Sequence, residues 1–190
     1  MRASARRRAA LLFLIWGWLL SAPVFAGDYA AIVKDAELAL QDEEYVLSAE
    51  IQYRLSPKAT DALKNGIPLF WAVNIEIKRQ RDFWWDQTIA EKHLRFKIQY
   101  QALLNVYRVR NEDSGEGGNF SSLGAAMGAL SSIRYVPVLG KSALADDQRY
   151  AVGVRVVFER ELLPLPLRPL AYLNPQWYLS SGWYIWNLKN

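Results

Sequence analysis

Tyr45-Val46-Leu47-Ser48-Ala49-Glu50-Ile51-Gln52-Tyr53-Arg54-Leu55 decides the fold class. Tyr45, Leu47, Ala49, Ile51, Tyr53 and Leu55 alternate with Val46, Ser48, Glu50, Gln52 and Arg54, the period of a half-buried strand. Similar patterns lie on both sides. Upstream, Ala36, Leu38 and Leu40 alternate with Asp35, Glu37 and Ala39, and the short Gln41-Asp42-Glu43-Glu44 link predicts a hairpin. Downstream, Trp71, Val73, Ile75 and Ile77 oppose Ala72, Asn74, Glu76 and Lys78 in a third strand running on toward Trp85. A fourth sets Leu94, Phe96, Ile98, Tyr100 and Ala102 against His93, Arg95, Lys97, Gln99 and Gln101. It continues through Leu104 and Val106, where the apolar phase slips to Tyr107 and Val109. A bulge or bend is therefore expected near Leu103 to Val106. Tyr150, Val152, Val154, Val156 and Phe158 form a further strand, and Trp177 to Leu188 supplies the last one or two.

Two helical insertions interrupt the strands. Ser56-Pro57 offers a capping hydroxyl and a first-turn proline, and Asn65-Gly66 a stop. A second helix starts at Ser121 or Ser122, with Leu123, Met127, Leu130 and Ile133 or Arg134 at helical spacing. Asn111 to Asn119, with Gly115, Gly117 and Gly118, reads as a mobile loop. Leu162 to Leu170 holds three prolines, which remove ladder donors, so it is expected as an extended apolar crossover packed on the domain. The expected fold is mainly β: a single antiparallel β-sandwich-like domain with two short helical insertions. A single curved sheet covered by helices on one face is the alternative.

The chain has 190 residues, 52% of them hydrophobic, no Cys and one His, His93. That composition excludes a disordered protein, disulfides, thiolate metal sites, a cysteine nucleophile and any histidine-pair chemistry. Arg2, Arg6, Arg7 and Arg8 precede an apolar run of 12 residues, Ala9 to Leu20, and then Val24 and Ala26 at the −3 and −1 positions of a cleavage site. A bilayer-spanning helix needs roughly 20 apolar residues, so residues 1–26 are expected as a cleaved Sec-type signal peptide. Arg6-Arg7-Arg8 lacks the polar and bulky residues that would complete a twin-arginine signal. The expected location is the periplasm, with residues 27–190 as the mature domain and membrane contact only if the leader stays uncut. The four leader arginines account for the whole net charge of +4. A neutral mature domain gains little from counterion release, so nucleic acid is rejected as a partner.

Charge is nonetheless segregated. Seven acids lie between Asp28 and Glu50 against Lys34 alone, and eight bases between Lys78 and Arg110 against three acids. Cross-strand pairing on a solvated face would neutralise them. A bipolar surface would orient a charged partner instead.

Phe83-Trp84-Trp85-Asp86, Leu94-Arg95-Phe96 through Tyr107, and Leu163-Pro164-Leu165-Pro166-Leu167 with Trp177-Tyr178-Leu179-Ser180-Ser181-Gly182-Trp183 occur in that order. Together they resemble an uncharacterised family of proteobacterial exported proteins, sometimes labelled proline-rich signal-peptide proteins, a domain of unknown function. The resemblance implies a Gram-negative envelope location and a genetic neighbourhood that includes a two-component sensor kinase. It carries no activity.

The remaining candidates stand on their own chemistry. Adjacent Trp84 and Trp85 face opposite sides of a strand, so one is free to stack on a ligand unless a helix or the crossover covers it, and Asp86 could accept from an indole. Trp177 and Trp183 belong to a terminal aromatic cluster that binds a glycan or lipid, or closes the core on both faces. Ser180 and Ser181 lack a nucleophile elbow and a nearby base, and bond backbone at a bend. Arg95 and Lys97 are binding candidates on the basic face. Asp86 with Glu91, Asp146 with Asp147, and the Asn111 to Glu116 loop offer only weak carboxylate or calcium readings. No catalytic, cofactor-binding or metal-binding set emerges, and no cofactor is expected. The expected function is a non-catalytic module that binds another envelope protein, a sensor kinase's periplasmic region among the candidates. The alternatives are a glycan- or lipid-binding module using exposed aromatics, and less so a hydrolase.

Overall fold

In the computed structural model, residues 30–81, 86–145 and 148–188 are described. The strands in chain order are β1 (Ala31–Gln41), β2 (Glu44–Tyr53), β3 (Leu69–Arg79), β4 (Gln87–Gln101), β5 (Val106–Asn111), β6 (Gly117–Phe120), β7 (Ser132–Gly140), β8 (Tyr150–Phe158) and β9 (Tyr184–Asn187). They form two antiparallel sheets, a small one ordered β1-β2-β7 and a large one ordered β6-β5-β4-β3-β8-β9. The architecture is the expected β-sandwich. The leader, Trp84, Trp85 and the Asp146-Asp147 pair lie outside the described residues.

Alternation explains the core. Trp71, Val73 and Ile75 of β3 are fully buried and join Leu47, Ala49 and Ile51 of β2 across the sandwich, while Ile77 is buried in a smaller cluster with Tyr150 and Val152. Trp71 meets Tyr53 edge-on at 5.4 Å and Phe158 at 5.2 Å, and its indole N–H donates to the Leu179 carbonyl at 3.3 Å. Phe158 in turn stacks on Trp177 at 6.0 Å. Each such ring removes roughly 150–250 Å² from water, a gross gain of about 4–6 kcal/mol before entropy. These four rings tie β2, β3, β8 and the C-terminal segment together.

The caps form as expected. Ser56 Oγ accepts the Ala59 N–H at 3.0 Å to start α1 (Pro57–Lys64), and Gly66 leaves it with φ +82°. Ser122 Oγ accepts the Ala125 N–H at 3.2 Å to start α2 (Leu123–Ser131). Asp42 and Glu43 close the β1–β2 hairpin, both at positive φ, the backbone twist that suits a two-residue turn. Lys141 holds that turn through its own N–H to the Glu43 carbonyl and its ammonium to the Glu43 carboxylate, 3.2 Å.

Four local expectations change. The phase slip near Leu103 is a chain reversal: Ala102–Asn105 is a turn, Asn105 has φ +51°, and β5 returns against β4 from Val106. The segment after Asn111 closes into the β5–β6 hairpin, because Asn111 Oδ1 accepts the Asp113 and Ser114 N–H groups. α2 stops at Ser131, so Ile133 and Arg134, expected on the helix, open β7, whose alternation is interrupted where Tyr135 at φ +50° shifts the register against β2. The proline-rich stretch is partly helical. Arg160–Leu162 forms a 3-10 turn and α3 spans Arg168–Leu173 with Pro169 in its first turn, burying Leu163 but leaving Leu165 exposed.

Tyr53 supplies a stability test. Its hydroxyl is buried without a hydrogen-bond partner among the described residues, and burial pushes its ionisation upward. The unfolded chain loses that proton near pH ~10 while the folded chain keeps it, so this group removes stability as pH rises above ~10. Tyr53→Phe is expected to match or exceed the parent by about 1 kcal/mol at pH 7. Its advantage should widen at alkaline pH. Urea midpoints of both proteins, at neutral pH and again above pH ~10, check it; an advantage that stays flat refutes it.

Candidate functional site

The outward face of the large sheet gathers most of the polar chemistry. Register places Lys97 beside Phe70, Arg95 beside Ala72 and His93 beside Asn74. On the other flank of β3, Val157 adjoins Ala72 and Arg155 adjoins Asn74. Ala72, with only a methyl group, floors a depression of about 320 Å³ walled by Asn74, His93, Arg95, Asp113, Glu159 and Glu161. Arg95 binds Glu159 with two hydrogen bonds, Nε to Oε2 at 2.6 Å and Nη2 to Oε1 at 2.8 Å. Its own backbone N–H donates to Asp113 Oδ2 at 2.6 Å. The Glu159 hydrogen bond, then its charge, raises the Arg95 pKa further, with Asp113 and Glu112 adding smaller contributions. His93 Nδ1 lies 3.0 Å from Asn74 Oδ1, and Nε2 lies 4.0 Å from Glu91. With its guanidinium already matched by Glu159, this depression offers little to an anion.

The anion-seeking chemistry lies one strand further. Lys97 on β4 sits directly opposite Arg110 on β5, and Arg108 opposite Gln99, all projecting away from the core side of Ile98 and Val109. Among the described residues, Lys97, Arg108 and Arg110 form no ion pair. Arg108 Nε donates to Asn119 Oδ1 at 3.1 Å, and the Lys97 ammonium lies 5.7 Å from the Phe70 ring centre. A groove of about 300 Å³ runs along Arg108 and Arg110 beside Gly115, Gly117 and Gly118. Gly117 must be glycine there, because a Cβ would fall 2.2 Å from the Val109 carbonyl oxygen.

The opposite charge sits on the other sheet. Glu37, Glu44 and Glu50 are exposed on β1 and β2, and the one ion pair made by the acids of this hairpin among the described residues is Glu43–Lys141. Of the Lys78–Arg110 bases, Lys78 pairs with Glu76 and Arg95 with Glu159 rather than with the hairpin acids. The two sheets therefore carry opposite charge.

Of the sequence-predicted site residues, Arg95 and Lys97 share this outward face. Trp183 lies on it too, near the far edge, over Gly153 and within 6 Å of the Lys78 ammonium (5.8 Å) and the Arg155 guanidinium (5.9 Å). Trp183 and Ile185 remain exposed while Tyr184 and Trp186 pack on the core, so the last strand closes one face rather than both. Trp177 is a core residue. Ser180 and Ser181 Oγ accept the Phe158 and Val156 N–H groups at 2.9 and 2.8 Å, and Ser181 also donates to the Gly182 carbonyl. Asp86 is exposed and makes no hydrogen bond among the described residues. No group of three or more His, Asp or Glu side chains among the described residues is arranged to hold a metal. Asn74 and Glu159 are the site residues that sequence reasoning missed, and Arg108 and Arg110 figure there only as members of the Lys78–Arg110 basic stretch, since they meet Lys97 through the unpredicted chain reversal.

Among known families, the one described as domain of unknown function DUF4390 matches residues 29–187. No curated protein and no solved structure matches the chain.

Proposed function

The chain belongs to the DUF4390 family of domains of unknown function, and on that premise we propose that it is an exported, non-catalytic interaction module of a Gram-negative envelope. It binds an acidic segment of another envelope protein through Lys97, Arg108 and Arg110. The observation that carries this reading is the Lys97–Arg110 juxtaposition. Like charges directly opposite on a sheet destabilise it, and among the described residues neither side chain has an acid to offset that. A carboxylate-bearing partner relieves the repulsion and is steered by the charge separation between the sheets. The periplasmic region of a sensor kinase is one such partner.

In-cell crosslinking and affinity capture of the tagged protein should return one dominant envelope protein. The triple reversal K97E/R108E/R110E is expected to weaken that complex about tenfold or more at low salt, with a smaller difference at high salt. Folding stability should stay within about 0.5 kcal/mol of the parent. Unchanged partner affinity at low salt defeats the proposal.

A further inference from the structure

One end of the sandwich is built unlike the rest of its surface. The start of β3, the ends of β4 and β8 and the start of β5 meet there. Upon them sit the Ala102–Asn105 turn, α1 and the segment from Arg160 to Leu179. Gln99 ties the exit of α1 to this end through the Gly66 carbonyl, and the Lys58 N–H of α1 reaches Gln176. Exposed along this belt are Leu103, Leu104, Leu165, Leu170, Tyr172 and Leu173. Leu103 and Leu104 occupy the tip of a hairpin, a place that turn chemistry gives to polar residues, and Leu103 is completely exposed. Single surface leucines need no explanation, but six large apolar side chains exposed at one end of the sandwich mark a docking surface.

Two observations identify what docks. Basic residues frame the belt: Arg54, Lys58 and Lys64 are exposed around α1, whose one acid is Asp61. Lys64 stands at a groove of about 560 Å³ shared with Tyr100, Leu103 and Leu104. The chain also enters the fold here, since the Ala30 carbonyl accepts the Arg54 N–H at 2.9 Å. The apolar run Ala9 to Leu20 ends ten residues earlier, a reach of at most ~35 Å even when extended. Leucines to enter the interface, cations to meet phosphates and, until it is cleaved, an apolar leader delivered to the same end fit a lipid surface. We propose that this pole rests on the surface of a bilayer rich in anionic phospholipid. The basic face of β4 and β5 is then left free for its protein partner.

The cysteine-free sequence makes the test clean. The full chain is given a single cysteine, Leu103→Cys or Leu173→Cys at the pole or Ser142→Cys at the opposite end, and labelled with an environment-sensitive fluorophore. Vesicles of phosphatidylglycerol and phosphatidylethanolamine should shift the label at 103 and 173 to the blue and expose it to quenching by brominated lipid. The label at 142 should not respond. Lys58→Gln with Lys64→Gln should lower partitioning onto these vesicles roughly tenfold or more, and neutral phosphatidylcholine should bind similarly weakly. A silent label at 103 and 173, or an equal response at 142, overturns the proposal even if the leader itself inserts. A blue shift that grows with protein concentration in the absence of vesicles overturns it in favour of a second copy of the chain.

Discussion

The double variant S180A/S181A is expected to lose about 2–5 kcal/mol of folding stability. β9 pairs with β8 only from Ala151 to Val154, so further along that edge β8 has no strand beside it among the described residues. The two serine hydroxyls fill the gap by accepting the Val156 and Phe158 N–H groups, and the Ser181 N–H donates to the Val156 carbonyl at 2.8 Å. Alanine leaves two backbone donors unmatched in a partly buried setting, each costing about 1–3 kcal/mol. Phe158 stands between the rings of Trp71 and Trp177, so fraying there propagates into the core. Against a typical total of about 5–15 kcal/mol, the loss is a large share of the whole. Urea unfolding reads it directly, with each single variant losing about half. A double variant within about 0.5 kcal/mol of the parent would mean that water replaces both hydroxyls without penalty.

The same two serines show which features are legible in sequence. Their neighbour Gly182 and the absence of a base point to backbone bonding, a local property. β3 and β4 are legible because one face of each is the more deeply buried, which forces alternation, and β2 alternates in sequence although Val46 and Ser48 on its other face are buried too. The caps at Ser56 and Ser122 are legible because capping involves four consecutive residues. A bulge and a chain reversal both invert the phase of alternation, so Leu103 to Val106 fits either. Asn105, tolerant of positive φ, is the one local hint of the turn. Pro169 breaks a strand ladder and equally suits a helix start, hence the extended crossover expected where α3 forms. The site is harder still. Arg95 and Glu159 are 64 positions apart, and only the β4-β3-β8 order lets one reach across Ala72 to the other. Charge segregation is visible in the chain, whereas its remaining unneutralised requires knowing that the acids and the bases lie on different sheets.

Arg95→Met is expected to cost about 1–3 kcal/mol and leave recognition of an acidic partner intact. Glu159 is 8% exposed and would lose its one charged partner among the described residues. Breaking a fully buried pair in this way costs about 3–5 kcal/mol. The Arg95 side chain is 49% exposed, however, so solvent already screens the pair and the smaller range applies. Replacing both residues, R95M/E159M, removes the stranded charge as well and should recover most of the loss. A coupling near zero in that double-mutant cycle would refute the pairing argument. The Arg95 pKa is raised above its unfolded value, so its contribution is fully present below that value and fades only as pH climbs past the folded one, far into alkali. The Arg95→Met deficit should therefore stay constant between about pH 6 and pH 9. A deficit that varied there would count against the pairing argument. Because Glu159 already matches Arg95, losing this cation changes stability and spares binding, while reversing Lys97, Arg108 and Arg110 changes binding and spares stability. That reciprocal pattern separates a structural ion pair from a recognition surface built on adjacent positions of one sheet.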